Sequence, residues 1–513
     1  MKHVQIFLPV MLALSSVALG QQAGQAPAAG KPAVDDKQAA AELEVMRKYE
    51  AELRAIAEAR KRADPQKLVD EFGQAIRQQW SYYRANGVDF DAELAALKKR
   101  VAAEKLSLVA TEYELERILM LGIDGHSRVG LEVPPGRLQL DFGPVGKRIA
   151  AVRRDYSALL DADHPYVESI DGKPIAEWMQ LAGKYVVKGS PQLVFSREAR
   201  MVARKFRFLQ EVGKYPARDT VDVVLASEDG KRRKTVQVEV DTKESEKSRI
   251  AQSLGPSRWL EGGQVGYLRI ASMNLDAVKE IETWMPTFRN AKALIVDVRN
   301  NGGGSRDALL RLYSYLAAPT DPSRVINAAV YRLSDQFPED HLSKRYMYRE
   351  NDPHWNPAER AAIAQFKQTF KPQWTPPAGE FSDWHYLALS REDAPGVYHF
   401  DKPVVVLSNE RIFSAADIFM AGMDSLPNVT IMGVPSGGGS ARVASTSLQD
   451  GATELKIGSM ISYQVDGRLF DGVGVPVDIR VDPVPAFYLE YGKARDNQLE
   501  AAETFLQKKV ANP

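Results

Sequence analysis

The sequence has no cysteine, only seven histidines and no net charge. Without cysteine there is no disulfide, no thiol nucleophile, no zinc–cysteine site and no cysteine-ligated iron–sulfur cluster. With 67 basic and 67 acidic residues the chain has no overall field to gather nucleic acid or an anionic membrane. No HExxH or similar histidine pair is present, which argues against a zinc hydrolase. No cofactor is expected. Beyond the first twenty residues, no stretch reaches the roughly 18 apolar residues that a membrane-spanning helix needs.

What is present is ordinary globular composition, 44% apolar and 26% charged, over 513 residues. At roughly 100–200 residues per domain, that length predicts about three domains. Residues 1–20 read as a secretory signal peptide: a basic Met1-Lys2-His3 start, an apolar Val4 to Leu19, then small residues at Ala18 and Gly20. The competing reading is a membrane anchor, for which the run is short and interrupted by a proline and two serines. Export to the periplasm or medium is the expectation, with no span in the mature chain. Residues 21–35, rich in Ala, Pro, Gly and Gln, read as a disordered tether.

Residues 36–128 read as a helical bundle. Strong helix formers run from Ala39 to Arg62, and Pro65 interrupts them. Val69, Phe72, Ile76 and Trp80 then recur at spacings of three and four. Asp89 caps a third helix, and Thr111 is expected to start a fourth. Residues 129–245 read as a β-rich module with a helical insertion over 176–214. Its turns fall at Asp171-Gly172 and Asp229-Gly230. Residues 257–490 alternate strand and helix, the pattern of an α/β layer. The apolar run Ala293 to Val298 reads as a strand buried on both faces. Residues 320–400 look like an insertion whose Trp355, Trp374 and Trp384 either line a groove or pack over the core, and 491–513 read as a C-terminal helix.

Three features carry chemistry. Asn300-Asn301-Gly302-Gly303-Gly304 follows a strand directly, so its backbone N–H groups can face an open crevice and hold an anion. It lacks the spacing of a dinucleotide or phosphate loop, and a plain tight turn is the alternative. Ser414 opens a helix of small residues. It is either an N-cap with Asp417 as a capping-box acid, or a nucleophile beside the N–H of Ala415. His126 sits in the polar turn Asp124-Gly125-His126-Ser127, either a solvated surface residue or a base.

Taken together, Gly266-Tyr267-Leu268-Arg269-Ile270, the ALIVDVRNNGGG segment, PVVVLSNERIFSAADIFMAGM and Asp471-Gly472-Val473-Gly474 resemble the S41 peptidases. That family includes the tail-specific (carboxyl-terminal processing) proteases and the tricorn core protease. The resemblance implies a multidomain α+β chain: an N-terminal helical bundle, a PDZ-like β module, and an α/β catalytic core of ClpP/crotonase-like type. In the tail-specific branch a lysine in a Gly-Lys-Gly element serves as base. Here that place reads Pro435-Ser436-Gly437-Gly438-Gly439-Ser440, and Lys456 comes too late. In the tricorn-type branch a histidine and an acid serve, at positions that here read His126 and Asp471. The family acid is commonly Glu, so Asp471 is the shorter variant. The tricorn core has a serine just before its histidine, where this chain has Gly125.

The resemblance therefore implies Ser414 as nucleophile, His126 as base and Asp471 as the acid that orients it. The N–H groups of Ala415 and of Gly302 or Gly303 would form the oxyanion hole. It implies an exported serine endopeptidase acting on peptides or on unfolded or C-terminal protein segments. The alternative is a non-catalytic peptide- or ligand-binding protein on the same scaffold.

Overall fold

The computed structural model describes residues 36–243, 254–260 and 262–511. The segments read as signal peptide and tether lie outside the described residues. No helix among the described residues is long and apolar enough to cross a membrane.

Four helices come first: α1 (Asp36–Arg62), α2 (Pro65–Gln79), α3 (Phe90–Glu104) and α4 (Leu108–Leu119). Pro65 opens α2, where its missing N–H costs nothing, and the Asp64 carboxylate accepts from Gln66 N at 2.7 Å. Leu68, Val69, Phe72 and Ile76 form its buried face. α4 starts three residues before Thr111. Ser107 caps it by accepting from Ala110 N, and the Thr111 hydroxyl donates back to Ser107 O at 2.9 Å. These helices do not form a free-standing bundle. Their buried side chains, with Trp80 and Phe90, share one cluster with Leu455, Ile457, Ile461 and Tyr463 from the far end of the chain. Each large apolar side chain so buried contributes about 1.5–3 kcal/mol.

The middle of the chain is an antiparallel sheet. Its strand order is Arg137–Leu138, Arg233–Asp241, Thr220–Ala226, Tyr166–Ile170, Arg148–Arg153 and Leu140–Val145. Helices α5 (Ile175–Ala182), α6 (Pro191–Arg204) and α7 (Phe206–Val212) share its apolar core through Trp178, Ala199, Val202 and Phe206.

The third unit is a six-stranded sheet ordered Ile479–Arg480, Val429–Gly433, Val404–Ser408, Ala293–Asp297, Val265–Arg269 and Arg258–Trp259. All its pairs are parallel except the last. Period-two geometry explains the unbroken apolar strands. Leu294 and Val296 pack among residues of α8 (Leu275–Thr287), α9 (Asp307–Leu316) and α11 (Ala415–Asp424). Ala293 and Ile295 pack with Ala502 and Leu506 of α12 (Asn497–Ala511). Most of the insertion builds a further sheet. Tyr348–Arg349, His385–Leu389 and Arg324–Tyr331 pair in that order, and Met460–Tyr463 closes it. α10 (Pro357–Thr369) covers it, burying Trp355 against Val325 and Ile363. Trp374 and Trp384 are half-buried against the cluster that holds Tyr463.

Candidate active site

Parallel strands end together, so the loops after adjacent strands meet in one crevice. Ala293–Asp297 and Val404–Ser408 are such neighbours. Asn300 N donates to Asn409 Oδ1 and Asn409 Nδ2 donates to Asn300 Oδ1, both at 2.9 Å. Phe413 N donates to Asn301 O at 3.1 Å. The glycine loop and the Ser414 loop are thereby tied edge to edge.

Ser414 stands at the first turn of α11 with φ 63° and ψ −126°, and its side chain makes no capping hydrogen bond. The capping-box reading fails here. Asp417 turns inward instead, accepting from the Ser436 hydroxyl and from Gly438 N at 3.1 Å. Burial drives its carboxyl well above the usual range. A positive φ at a residue with a Cβ costs on the order of 1–3 kcal/mol, and such strain clusters at working sites. Gly303 makes the close approach possible. With φ 98°, its position leaves no room for a Cβ, which would lie 2.6 Å from Phe413 O and 2.7 Å from Ser414 Cβ. The Gly303 N–H is already committed, donating to Asn301 Oδ1 at 2.9 Å. Among the described residues, the N–H groups of Gly302 and Ala415 have no hydrogen-bond acceptor.

His126 is not a solvated surface residue: its side chain is 11% exposed. Its ring packs on Phe413, the neighbour of Ser414, with centroids 4.5 Å apart. Neither ring nitrogen has a hydrogen-bond partner among the described residues. The nearest acid to Nδ1 is Asp124 Oδ1 at 3.6 Å, and the same oxygen accepts from His126 N at 3.0 Å. The other oxygen of Asp124 accepts from Trp80 Nε1 at 2.9 Å, Gly458 N at 2.8 Å and the Ser127 hydroxyl.

Asp471 lies alongside. It accepts from Tyr82 Oη at 2.6 Å, Ser440 N at 3.1 Å and Gly125 N at 3.4 Å. Asp124, His126 and Asp471 each offer one polar atom, all within 4.8 Å of one another. Burial, and then the charge on Asp124, push the Asp471 carboxyl up to about 6. Burial also pushes Asp124 upward, but its contacts with His126 and Ser127 outweigh it and leave that carboxyl below the usual range. One group is thus held ionised while its neighbour titrates near neutrality, a pairing typical of working sites.

Helix α6 of the middle unit reaches this crevice. Ser190 Oγ donates to Gly437 O at 2.6 Å and Gln192 Nε2 to Ser436 O at 2.7 Å. Arg197 donates to Gly125 O at 3.3 Å and stands over the Phe413 ring.

All six residues singled out in the sequence meet around this crevice. Gly302, Gly303, Ser414 and Ala415 form one wall, His126 packs on it through Phe413, and Asp471 stands behind His126. Sequence reasoning gave no role to Trp80, Tyr82 or Asp124. The usable signal was Asp124-Gly125-His126, which places a carboxylate one residue removed from the imidazole. Lys456 is paired with Glu454 at 3.1 Å.

Residues 264–481 match the model of peptidase family S41, a span that holds Gly302, Gly303, Ser414, Ala415 and Asp471 but not His126. The fold is similar to that of mature CPAF complexed with lactacystin. Identity is 17%, the alignment covers 88% of this chain and 99% of that one, and the TM-score is 0.62. Mature CPAF alone gives 16% identity, 87% and 98% coverage and a TM-score of 0.60. At such identities the likeness is one of fold. No curated protein sequence matches the chain. The parallel sheet, the glycine loop and the Ser414 turn thus lie within the segment that matches peptidase family S41, a family of serine-type peptidases.

Proposed function

We propose that the chain is an exported serine endopeptidase, acting on peptides or on unfolded or C-terminal protein segments with a histidine base. The observation that carries this reading is Ser414. Its backbone is strained, its hydroxyl is free of any capping role, and it abuts the glycine loop one residue from the ring that packs against His126.

Serine is a weak nucleophile without an adjacent base. His126 takes the Ser414 proton as Oγ attacks the scissile carbonyl, and returns it to the leaving amine. Asp124, 3.6 Å from Nδ1, is the better placed acid to fix the tautomer and stabilise the imidazolium. Asp471 then serves as a neighbouring carboxyl held by Tyr82 and Ser440. The N–H groups of Ala415 and Gly302 receive the developing oxyanion, one such donor being worth about 2.7–4 kcal/mol. The middle unit, read as PDZ-like, binds an extended chain by strand addition. The basic and apolar first twenty residues direct export to the periplasm or medium.

The test is active-site labelling with turnover. A fluorophosphonate is expected to label the wild type at Ser414, and both Ser414→Ala and His126→Ala are expected to abolish peptide cleavage. Undiminished cleavage by His126→Ala would overturn the histidine mechanism. Peptide binding without labelling or cleavage would make the chain a binding protein on a peptidase scaffold.

A further inference from the structure

The insertion brings Arg345 to the edge of the crevice, beside Arg306 and Arg442. Arg345 donates to Gly304 O at 3.1 Å, one residue past the glycine that abuts Ser414. Arg442 lies two residues past Ser440, whose N–H holds Asp471, and donates to His341 O. Arg306 is buried behind them, donating to Arg345 O at 2.9 Å and to Asn327 Oδ1 at 3.1 Å, with Nε unpartnered.

Among the described residues none of these three guanidinium groups is ion-paired with a carboxylate, whereas Arg299 nearby is paired with two. Arg345 feels the charge of Arg442. Burial, and then the Arg442 charge, hold Arg345 below its ordinary range. Burial does the same to Arg442, opposed by Asp340. His341 adds no compensating charge, since burial and the same two arginines push it down to about 3. Each guanidinium carries five N–H donors in a planar fork that matches a carboxylate. Partly desolvated like charges without a counter-ion are costly, and an incoming carboxylate removes that cost.

We propose that Arg345 and Arg442 form a carboxylate-binding subsite that selects substrates with an acidic group close to the scissile bond. Arg345 holds the carbonyl next to Gly303, which abuts Ser414, and Arg442 follows the loop whose Ser440 N–H holds Asp471, so both stand at the margin of the crevice. Arg306 is a positioning residue that fixes the Arg345 backbone. The carboxylate is either an Asp or Glu side chain or the chain terminus. The proposal rests on the peptidase reading above.

The probes are fluorogenic ten-residue peptides with one Glu walked through the sequence, their Gln counterparts, and each with a free or amidated C-terminus. The wild type is expected to favour one Glu peptide over its Gln counterpart, or free acid over amide, by roughly 10- to 100-fold in kcat/KM. Which pair responds identifies the source of the carboxylate. Arg345→Gln and Arg442→Gln, made separately in case one fails to fold, are expected to bring the ratio of kcat/KM within the responding pair to about one. Equal cleavage of all pairs by the wild type, or a preference surviving both substitutions, would overturn the subsite. Fluorescence anisotropy of the same peptides on Ser414→Ala separates the two readings. A preference in binding without cleavage by the wild type sinks the peptidase reading and leaves the subsite standing. Cleavage without any preference does the reverse.

Discussion

Two clusters of buried carboxylates flank the crevice, and they are built on opposite terms. Asp297 is fully buried, yet it accepts from Arg299 Nη2 and Tyr267 Oη at 2.6 Å, with Arg269 at 3.8 Å. Arg299 continues to Asp496 at 2.7 Å, at the entrance to α12. Burial alone would raise the Asp297 carboxyl, but the two guanidinium charges outweigh it and hold it at about 2. Asp124 and Asp471 are as deeply buried but receive only neutral donors: Trp80, Tyr82, Ser127 and backbone N–H groups. Arg197 feels the charge of both acids but donates to Gly125 O. The first cluster is saturated and can only anchor the root of the glycine loop to the C-terminal helix. The second keeps a labile proton beside an imidazole, which is what general acid–base chemistry requires.

The comparison breaks first at Asp124. Asp124→Asn keeps an acceptor for Trp80 and Gly458 but removes the charge beside Nδ1. It is expected to lower kcat about 10³- to 10⁴-fold with KM little changed, the range seen when a triad acid loses its charge. If Asp124→Asn keeps its kcat and Asp471→Asn loses it, Asp471 is the orienting acid. In the saturated cluster the same kind of damage appears as stability. Asp297→Ala strips Arg299 of half its compensation deep in the core and is expected to cost about 3–5 kcal/mol, read from the denaturant midpoint. The folded fraction should retain its turnover within a few-fold. A loss below about 1 kcal/mol would mean that the cluster does not anchor the loop.

The parallel strands were legible because burial on both faces leaves a sequence no choice: every position from Ala293 to Val296 is apolar. Ser414 was legible only as an ambiguity. A cap and a nucleophile both ask for serine at a helix start, and what argues against the cap, a positive φ with no capping hydrogen bond, is encoded in no side-chain pattern. Gly302 and Gly303 were equivalent as letters, and only the Asn301 side chain, which occupies the Gly303 N–H, tells them apart. Asp124 escaped for a related reason. An Asp-Gly turn normally faces solvent, and this one is enclosed by Trp80 and by Gly458, whose N–H comes from 334 residues away. The helical region was readable helix by helix, but its docking onto residues 441–469 was not, because nothing local marks an apolar stripe's partner.

The smallest expected effect, and the one that separates the clusters by sign, is the pH dependence of Asp471→Asn. A free aspartate titrates near about 3.9. Folded Asp471 titrates at about 6, so it holds a proton that the unfolded chain has released. Its contribution to stability is fully present below about 4 and is lost as the pH rises through about 6. The two-unit shift corresponds to a penalty on the order of 2–3 kcal/mol at pH 8. Asparagine stays neutral and still accepts from Tyr82 or Ser440, though its amide meets the Gly125 N–H less well. Asp471→Asn should therefore be about 1–2 kcal/mol more stable than wild type at pH 8. That gain should vanish at pH 4.5. Asp297 runs the other way: its contribution is present above about 3.9 and disappears as the pH falls through about 2. Urea midpoints of wild type and Asp471→Asn at the two pH values decide the matter. Equal destabilisation at both would mean that Asp471 is stably ionised like Asp297, and that the crevice holds no proton-labile acid beside His126.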